Sequence, residues 1–219
     1  MRIEATEAIV KRRGYNAPYR QAEAQRHRKR ILEAARERFL TLGYAATTLR
    51  AVASDAGVSV ETIYKTFANK GRLFKTVFDV ELAGDDAAGS IAERPWVADM
   101  IAEPNPHRKM RMYAQWLAAA MSRVGSIQLV ARAAASTDTE IEGIWKQMGA
   151  ERLAGMGGFA GHLAAGAYLR NDLSVEQARD ILWTYNSVEI YELLVIERGW
   201  TLDRYRDFIA AALSGALLP

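Results

Sequence analysis

The stretch Thr47 to Phe67, TTLRAVASDAGVSVETIYKTF, holds two short patterns of helical period separated by Ala56-Gly57-Val58-Ser59. A glycine in that place marks a sharp turn, because it adopts positive φ without the steric cost that other residues meet. Leu49, Val52 and Ala53 give the first pattern one apolar face, while Ile63 and Phe67, four apart, anchor the second. Val58 is placed to pack in the angle between the two, and the Ser59 hydroxyl to cap the second helix. The exposed side and start of that second helix then carry Val60, Glu61, Thr62, Tyr64 and Lys65. Two stubby helices held at a fixed angle, with short side chains and donors facing outward, suit a reading head for the DNA major groove.

Charge distribution points the same way. Residues 1–30 hold nine Lys or Arg against three acids, and residues 31–80 seven against five, so the first 80 carry a net +8 although the whole chain carries +3. The front of the chain is suited to a polyanion and the remainder is acidic. Residues 1–20 show no firm period and include Gly14 and Pro18, so they read either as a basic flexible arm that touches DNA or as a solvated tail. Half of the 219 residues are apolar, enough for a packed core, and there is no cysteine, which removes disulfides and thiolate chemistry together. The pair Arg12-Arg13 has polar residues after it where an export signal needs an apolar run, and no window approaches the roughly 18 to 20 apolar residues of a membrane span. A cytoplasmic protein without a membrane segment is expected.

Every long pattern after residue 21 has a helical period, with no strand-like alternation, so the fold class is all-α. Ile31, Ala35, Phe39 and Leu42 share one face, with Gly43 as a stop. Asn69 can cap a helix from Lys70 through Leu73, Phe74, Val77 and Phe78, and Asn105 with Pro106 opens another. Thr137 with Glu140 and Ser174 with Gln177 have capping-box spacing and place helix starts near 138 and 175, while Gly155-Met156-Gly157-Gly158-Phe159 leaves the register between them open. Towards the end, Ile181, Tyr185, Val188 and Val195 form one apolar stripe, and Tyr205, Phe208, Ile209 and Leu213 form the next. Two adjacent, broadly apolar helices suggest a face shared with a second copy of the chain; closure of an internal bundle is the alternative.

The segment Gly43 to Phe78 resembles the N-terminal helix-turn-helix of TetR-type transcriptional regulators. The family pattern reads here as Thr48, Val52, Ala53, Ala56, Gly57, Val58, Ser59, Ile63, Tyr64, Phe67, Lys70 and Leu73. Such a density of matches at fixed spacing is highly specific; it covers about residues 25–80, and the last two helices look like those of many such regulators. The resemblance implies a basic arm over 1–20, a three-helix DNA-binding domain over 21–78, and a larger helical effector-binding and dimerisation domain over 79–219. It implies that Thr48, Tyr64 and Lys70 contact phosphates and that Ser59, Val60, Thr62 and Lys65 lie nearest to base edges. Glu61 departs from the pattern, since a small residue is common there; it is either a specificity element or turned away from DNA. Arg26, Arg28, Lys29 and Arg30 are further candidates for phosphate contact, as are Arg12 and Arg13.

The resemblance also implies a homodimer on double-stranded, palindromic operator DNA, released by a small-molecule effector, with repression the commoner outcome. Large aromatics and methionines are the pocket candidates: Trp96, Met100, Tyr113, Trp116, Met121 and Trp145, then Met148, Phe159, His162 and Trp183, with Asn186 and Glu189 as polar anchors. Each could equally be plain core. A dimeric DNA-binding protein without an effector is the second reading. A helical enzyme is the third, and it lacks support: His27, His107 and His162 stand apart, and Asp85-Asp86 suits a polar helix end. No catalytic residue, metal or cofactor is expected.

Overall fold

The computed structural model describes residues 17–87 and 89–219, all of them in helices, turns and loops without a strand. The expectations for Arg12, Arg13 and the rest of the arm up to residue 16 lie outside the described residues. The chain divides into two compact units, the first ending at Val77 and the second starting at Phe78.

In the first unit, helix α1 (Ala17–Ala46) begins four residues ahead of the expected 21 and breaks at Gly43, whose φ of 77° and ψ of 175° are not helical. Helices α2 (Leu49–Ala56) and α3 (Val60–Phe67) follow, and α4 (Lys70–Ala83) crosses into the second unit. Ile31, Phe39, Val52, Ile63, Leu73 and Phe74 are each 0% exposed and form the core. Phe39 packs edge-on against Phe74 at 5.0 Å, and Tyr44 against the same ring at 5.5 Å. Such pairs add about 0.5–1.5 kcal/mol each beyond their area. Arg38 donates through Nε and Nη2 to the Asp55 carboxylate, tying α1 to α2 and holding the Asp55 pKa below the usual carboxylate range.

The second unit comprises the end of α4, a single 3₁₀ turn (Ile91–Glu93), and helices α5 (Pro95–Ala102), α6 (Pro106–Ala134), α7 (Thr139–Ala165), α8 (Val175–Tyr185), α9 (Val188–Tyr191) and α10 (Leu202–Leu217). Beyond Tyr191 the chain widens into i→i+5 bonding over Glu192–Glu197, ending with Arg198 N–H on the Leu193 carbonyl at 3.2 Å. The long α6 is the centre: α10, α7 and α9 all pack on it, and α8 lies against α7. Gly125 of α6 permits a close approach of α9, because a Cβ there would sit 2.9 Å from the Tyr191 ring.

Two expectations are corrected here and one open point is resolved. The α7 cap is Asp138, not Thr137: its carboxylate accepts from Glu140 and Ile141 N–H at 3.0 and 3.1 Å, while the Thr137 hydroxyl donates to Ala134. An ionised acceptor beside the positive helix end outcompetes a hydroxyl. The glycine-rich run 155–159 does not interrupt α7, because burial of Met156, Phe159, Ala160 and Leu163 outweighs the propensity cost. Finally, the stripe Ile181, Tyr185, Val188, Val195 is not continuous. The helix breaks at Asn186-Ser187, where Asn186 Nδ2 donates to Tyr113 Oη at 2.6 Å and Ser187 caps α9. A short polar side chain with a better partner than the helix backbone ends the helix.

Two outcomes follow from backbone geometry. Gly57→Ala, which meets nothing closer than 3.8 Å but inherits φ 62°, should lower unfolding stability in urea by about 1–2 kcal/mol, with Gly57→Asn costing less. Gly158→Ala, with open space around its Cβ and an ordinary helical backbone, should instead raise stability by about 0.5–1 kcal/mol.

Candidate nucleic-acid interface and apolar cavity

Around Gly57 the local chemistry is that of a rigid turn. The glycine lies at φ 62°, ψ 42°, and Val58 N–H bonds the Ala53 carbonyl at 3.0 Å, so the last carbonyls of α2 are satisfied as the chain reverses. Thr48 Oγ1 accepts from Ala51 N–H at 3.2 Å and caps α2, and Ser59 Oγ accepts from Thr62 N–H at 3.3 Å and caps α3. Asn69 Oδ1 accepts from Arg72 N–H at 2.8 Å and caps α4. Between α3 and α4, Ala68 takes φ 66°, a conformation that costs a residue with a Cβ.

The α2, α3 and α4 starts and the outer face of α3 meet in a concavity of about 430 Å3, lined by Thr48, Leu49, Arg50, Val60, Tyr64, Asn69 and Lys70. Of the expected contact residues it gathers Thr48, Val60, Tyr64 and Lys70. Tyr64 is 54% exposed, and Lys65 and Glu61 stand outward beside it. Helix N-termini, a phenol and two cations around one hollow supply the donors and positive charge that a phosphate accepts from. Lys70 is not idle: its Nζ donates to the Tyr44 carbonyl at 3.0 Å and lies 4.0 Å from the Tyr44 ring centre, a geometry that fixes it at the rim. Ser59 and Thr62 hydroxyls are 3.2 Å apart and share a proton donor between them. Glu61 has its pKa lowered, first by its own backbone N–H, then by the Ser59 hydroxyl and by the charge of Lys65. Arg50 was not singled out in the sequence; its position two residues after the Thr48 cap is the signal that could have found it.

The second unit contains a partly open cavity of about 940 Å3. Trp116, Met121, Trp145, Met148, Trp183 and Asn186 line it, as does Glu189. Five other candidates do not. Trp96 stacks behind Trp116 with ring centres 4.6 Å apart. Tyr113 is buried behind Asn186, donates to the Met156 sulfur at 3.2 Å and has its pKa raised by burial; Phe159 packs on it at 5.2 Å. Met100 is buried with its carbonyl bonded to Lys109 Nζ at 2.7 Å. His162 has its pKa lowered by desolvation and by the charge of Lys109, and it lies beside Tyr168. Met100, Tyr113 and Phe159 lie in the core, where any large residue is equally at home, while Trp96 and His162 are half-buried outside the cavity.

Arg152 was missed. It lines the cavity from α7, its Nη1 donates to the Trp183 carbonyl at the end of α8, and its guanidinium carbon lies 4.4 Å from the Trp183 ring centre. Its pKa is lowered by desolvation, against the raising influence of Glu189. The signal was present as the i, i+4 series Met148, Arg152, Met156 along one face of α7.

The shared-face residues divide in two. Val188 is 2% exposed, and Tyr205, Ile209 and Leu213 are 0% exposed. These four are core of the single chain, packed where α9 and α10 meet α6, and are unavailable to a second subunit. Ile181, Tyr185 and Val195 are half-buried, and Phe208 is exposed with Tyr185 and Trp200 against its ring. Leu193 and Ile196, turned outward by the wide turn after α9, are 51% and 49% exposed. Among the described residues there is no cluster of three or more His, Cys, Asp or Glu able to hold a metal, and no helix long and apolar enough to cross a membrane.

Comparison with known proteins addresses the same parts of the chain. Residues 31–77 match the family described as bacterial regulatory proteins, tetR family. A 51-residue stretch is 49% identical to the HTH-type transcriptional regulator YhgD of Bacillus subtilis, a match that spans 23% of this chain and 27% of that relative's length. Two solved structures share the fold over most of their length. The transcriptional regulator FadR of Bacillus subtilis, solved in complex with stearoyl-CoA, superposes with a TM-score of 0.66 at 18% identity, over 84% of this chain and 96% of its own. NalD, the secondary repressor of the MexAB-OprM multidrug efflux pump in Pseudomonas aeruginosa, gives 0.68 at 16% identity, over 90% and 97%. The helix-turn-helix carries the sequence match to the tetR family of bacterial regulatory proteins, over residues 31–77, and most of the chain shares the fold of these solved regulators.

Proposed function

We propose that this regulator binds a two-fold operator as a homodimer and is released from it by a small molecule held in the 940 Å3 cavity. One observation carries the DNA-binding half: the exposed face of α3 adjoins a hollow ringed by helix N-termini, Tyr64, Arg50 and Lys70. In this reading Thr48, Tyr64 and Lys70 fix the register on phosphates. Val60, Lys65 and, with their shared hydrogen bond rearranged, Ser59 and Thr62 face base edges. Residues up to about 78 form the DNA-binding domain, the rest forms the effector and dimerisation domain, and repression in the cytoplasm is the outcome. FadR, with the same fold, holds stearoyl-CoA, which supports a role for the cavity here. The effector acts by preferring a subunit arrangement whose two α3 helices no longer match the operator spacing. Leu193, Ile196, Phe208 and Tyr185 supply the apolar surface for the second subunit.

Two measurements test this reading. Against an operator selected from random duplex DNA, Tyr64→Phe and Lys70→Ala should weaken binding to all sequences alike, and Lys70→Ala should reduce the slope of log affinity on log salt by about 1. Lys65→Ala and Glu61→Gln should instead change which sequence is preferred; unchanged affinity and preference across the four would refute the contact map. In sedimentation experiments, Leu193→Lys with Ile196→Lys should give a folded monomer with wild-type helix content. A dimer that survives both changes would place the shared face elsewhere.

A further inference from the structure

The charges around the cavity are unevenly compensated. Glu189 pairs with Arg132 at 3.5 Å, and Arg132 is bonded through its other nitrogen to Glu192. Lys146 pairs with Glu142, and Glu151 accepts from Gln147 at 2.8 Å. Arg152 differs: among the described residues its guanidinium donates only to a backbone carbonyl, that of Trp183, and meets no carboxylate within hydrogen-bond distance. A guanidinium carries five N–H donors in a planar fork matched to a carboxylate. Here it is half-buried and lies over one indole, in a wall whose apolar part includes Trp116, Trp145, Met148 and Met156 and whose other charged members are Asp79, Lys146, Glu151 and Glu189. A half-buried cation is costly unless paired, and what the protein leaves unpaired a ligand can complete.

We infer that the occupant of this cavity is an amphipathic carboxylate, its head forked onto Arg152 and its apolar body lying along Trp116, Trp145 and the two methionines. The inference rests on the reading of the cavity as the effector site and adds the chemical class of the ligand. A cationic amphiphile fits less well. Arg152 already covers one face of Trp183, and the three lining carboxylates, Glu189, Glu151 and Asp79, already have partners. The cavity volume lies near the upper end of the roughly 300–1,000 Å3 typical of small-molecule sites, so an extended or polycyclic body is accommodated.

The test compares decanoate, methyl decanoate and decyltrimethylammonium, all below their aggregation concentrations, by quenching of tryptophan fluorescence, since three tryptophans line the cavity. Wild-type protein should bind decanoate at least about tenfold more tightly than its methyl ester, the effect of one charge-assisted fork. Arg152→Met should remove that preference while leaving the ester within about threefold, and Arg152→Lys, which keeps the charge without the fork, should fall between. Equal binding of acid and ester by wild type, a preference that survives Arg152→Met, or tightest binding of decyltrimethylammonium would each overturn the inference. A neutral fluorophore, N-phenyl-1-naphthylamine, separates this failure from failure of the cavity reading. If it enters wild type and variant alike while decanoate shows no preference, the cavity stands and the carboxylate class falls. If it does not enter at all, both fall.

Discussion

A chain made only of helices must find partners for the N–H and C=O groups left over at every helix end, and this requirement organises both units of the protein. At the starts the partners are short side chains: Thr48, Ser59, Asn69, Asn105, Asp138, Ser174 and Thr201 each accept from the first turn of the helix they precede. At the ends the partners are cations reaching across from elsewhere in the same unit. Lys70 bonds the Tyr44 carbonyl near the end of α1, Arg123 the Glu81 and Leu82 carbonyls of α4, Lys109 the Met100 and Ile101 carbonyls of α5, and Arg152 the Trp183 carbonyl of α8. A positive side chain at a helix C-terminus gains both a hydrogen bond and a favourable dipole. Two of these four cations, Lys70 and Arg152, sit at the two concave sites, so the groups that close the fold also furnish the hollows with charge.

This division explains what could be read from the amino-acid order. A start cap is local, a side chain bonding two or three residues on, so Ser59, Asn69, Asn105 and Ser174 were legible from spacing. Gly57 was legible because a single conformational rule applies to it. The whole helix-turn-helix was therefore open to inspection, and its buried and outward faces lie where periodicity puts them. Asp138 escaped only because Thr137 offered an equally plausible local bond.

What escaped was non-local. The break at Asn186-Ser187 depends on Tyr113 in α6, and no window of sequence around Asn186 contains it. With the break unrecognised, Val188, Tyr205, Ile209 and Leu213 were assigned to an outer face, whereas packing on α6 puts them inside. The cavity was half legible for the same reason. Large apolar side chains mark the interior of a helical domain, but whether a given one borders empty space, as Trp145 does, or backs another ring, as Trp96 does, is decided by its neighbours. Arg152 was hidden by an opposite prejudice, that arginine belongs on the surface.

The brevity of α3 has a consequence for the organism's genome as much as for the protein. Eight residues at about 1.5 Å per residue make a rod of about 12 Å, no longer than the major groove is wide. As a reader of base edges such a rod offers about three or four side chains, and at roughly 1–3 kcal/mol for each correct pairing one copy discriminates by only several kcal/mol. Roughly a million or more competing positions lie along a chromosome. On the proposed reading a lone head would be lost among them, and the proposed homodimer would meet an address spelled twice, at a set separation, that is long enough to be found.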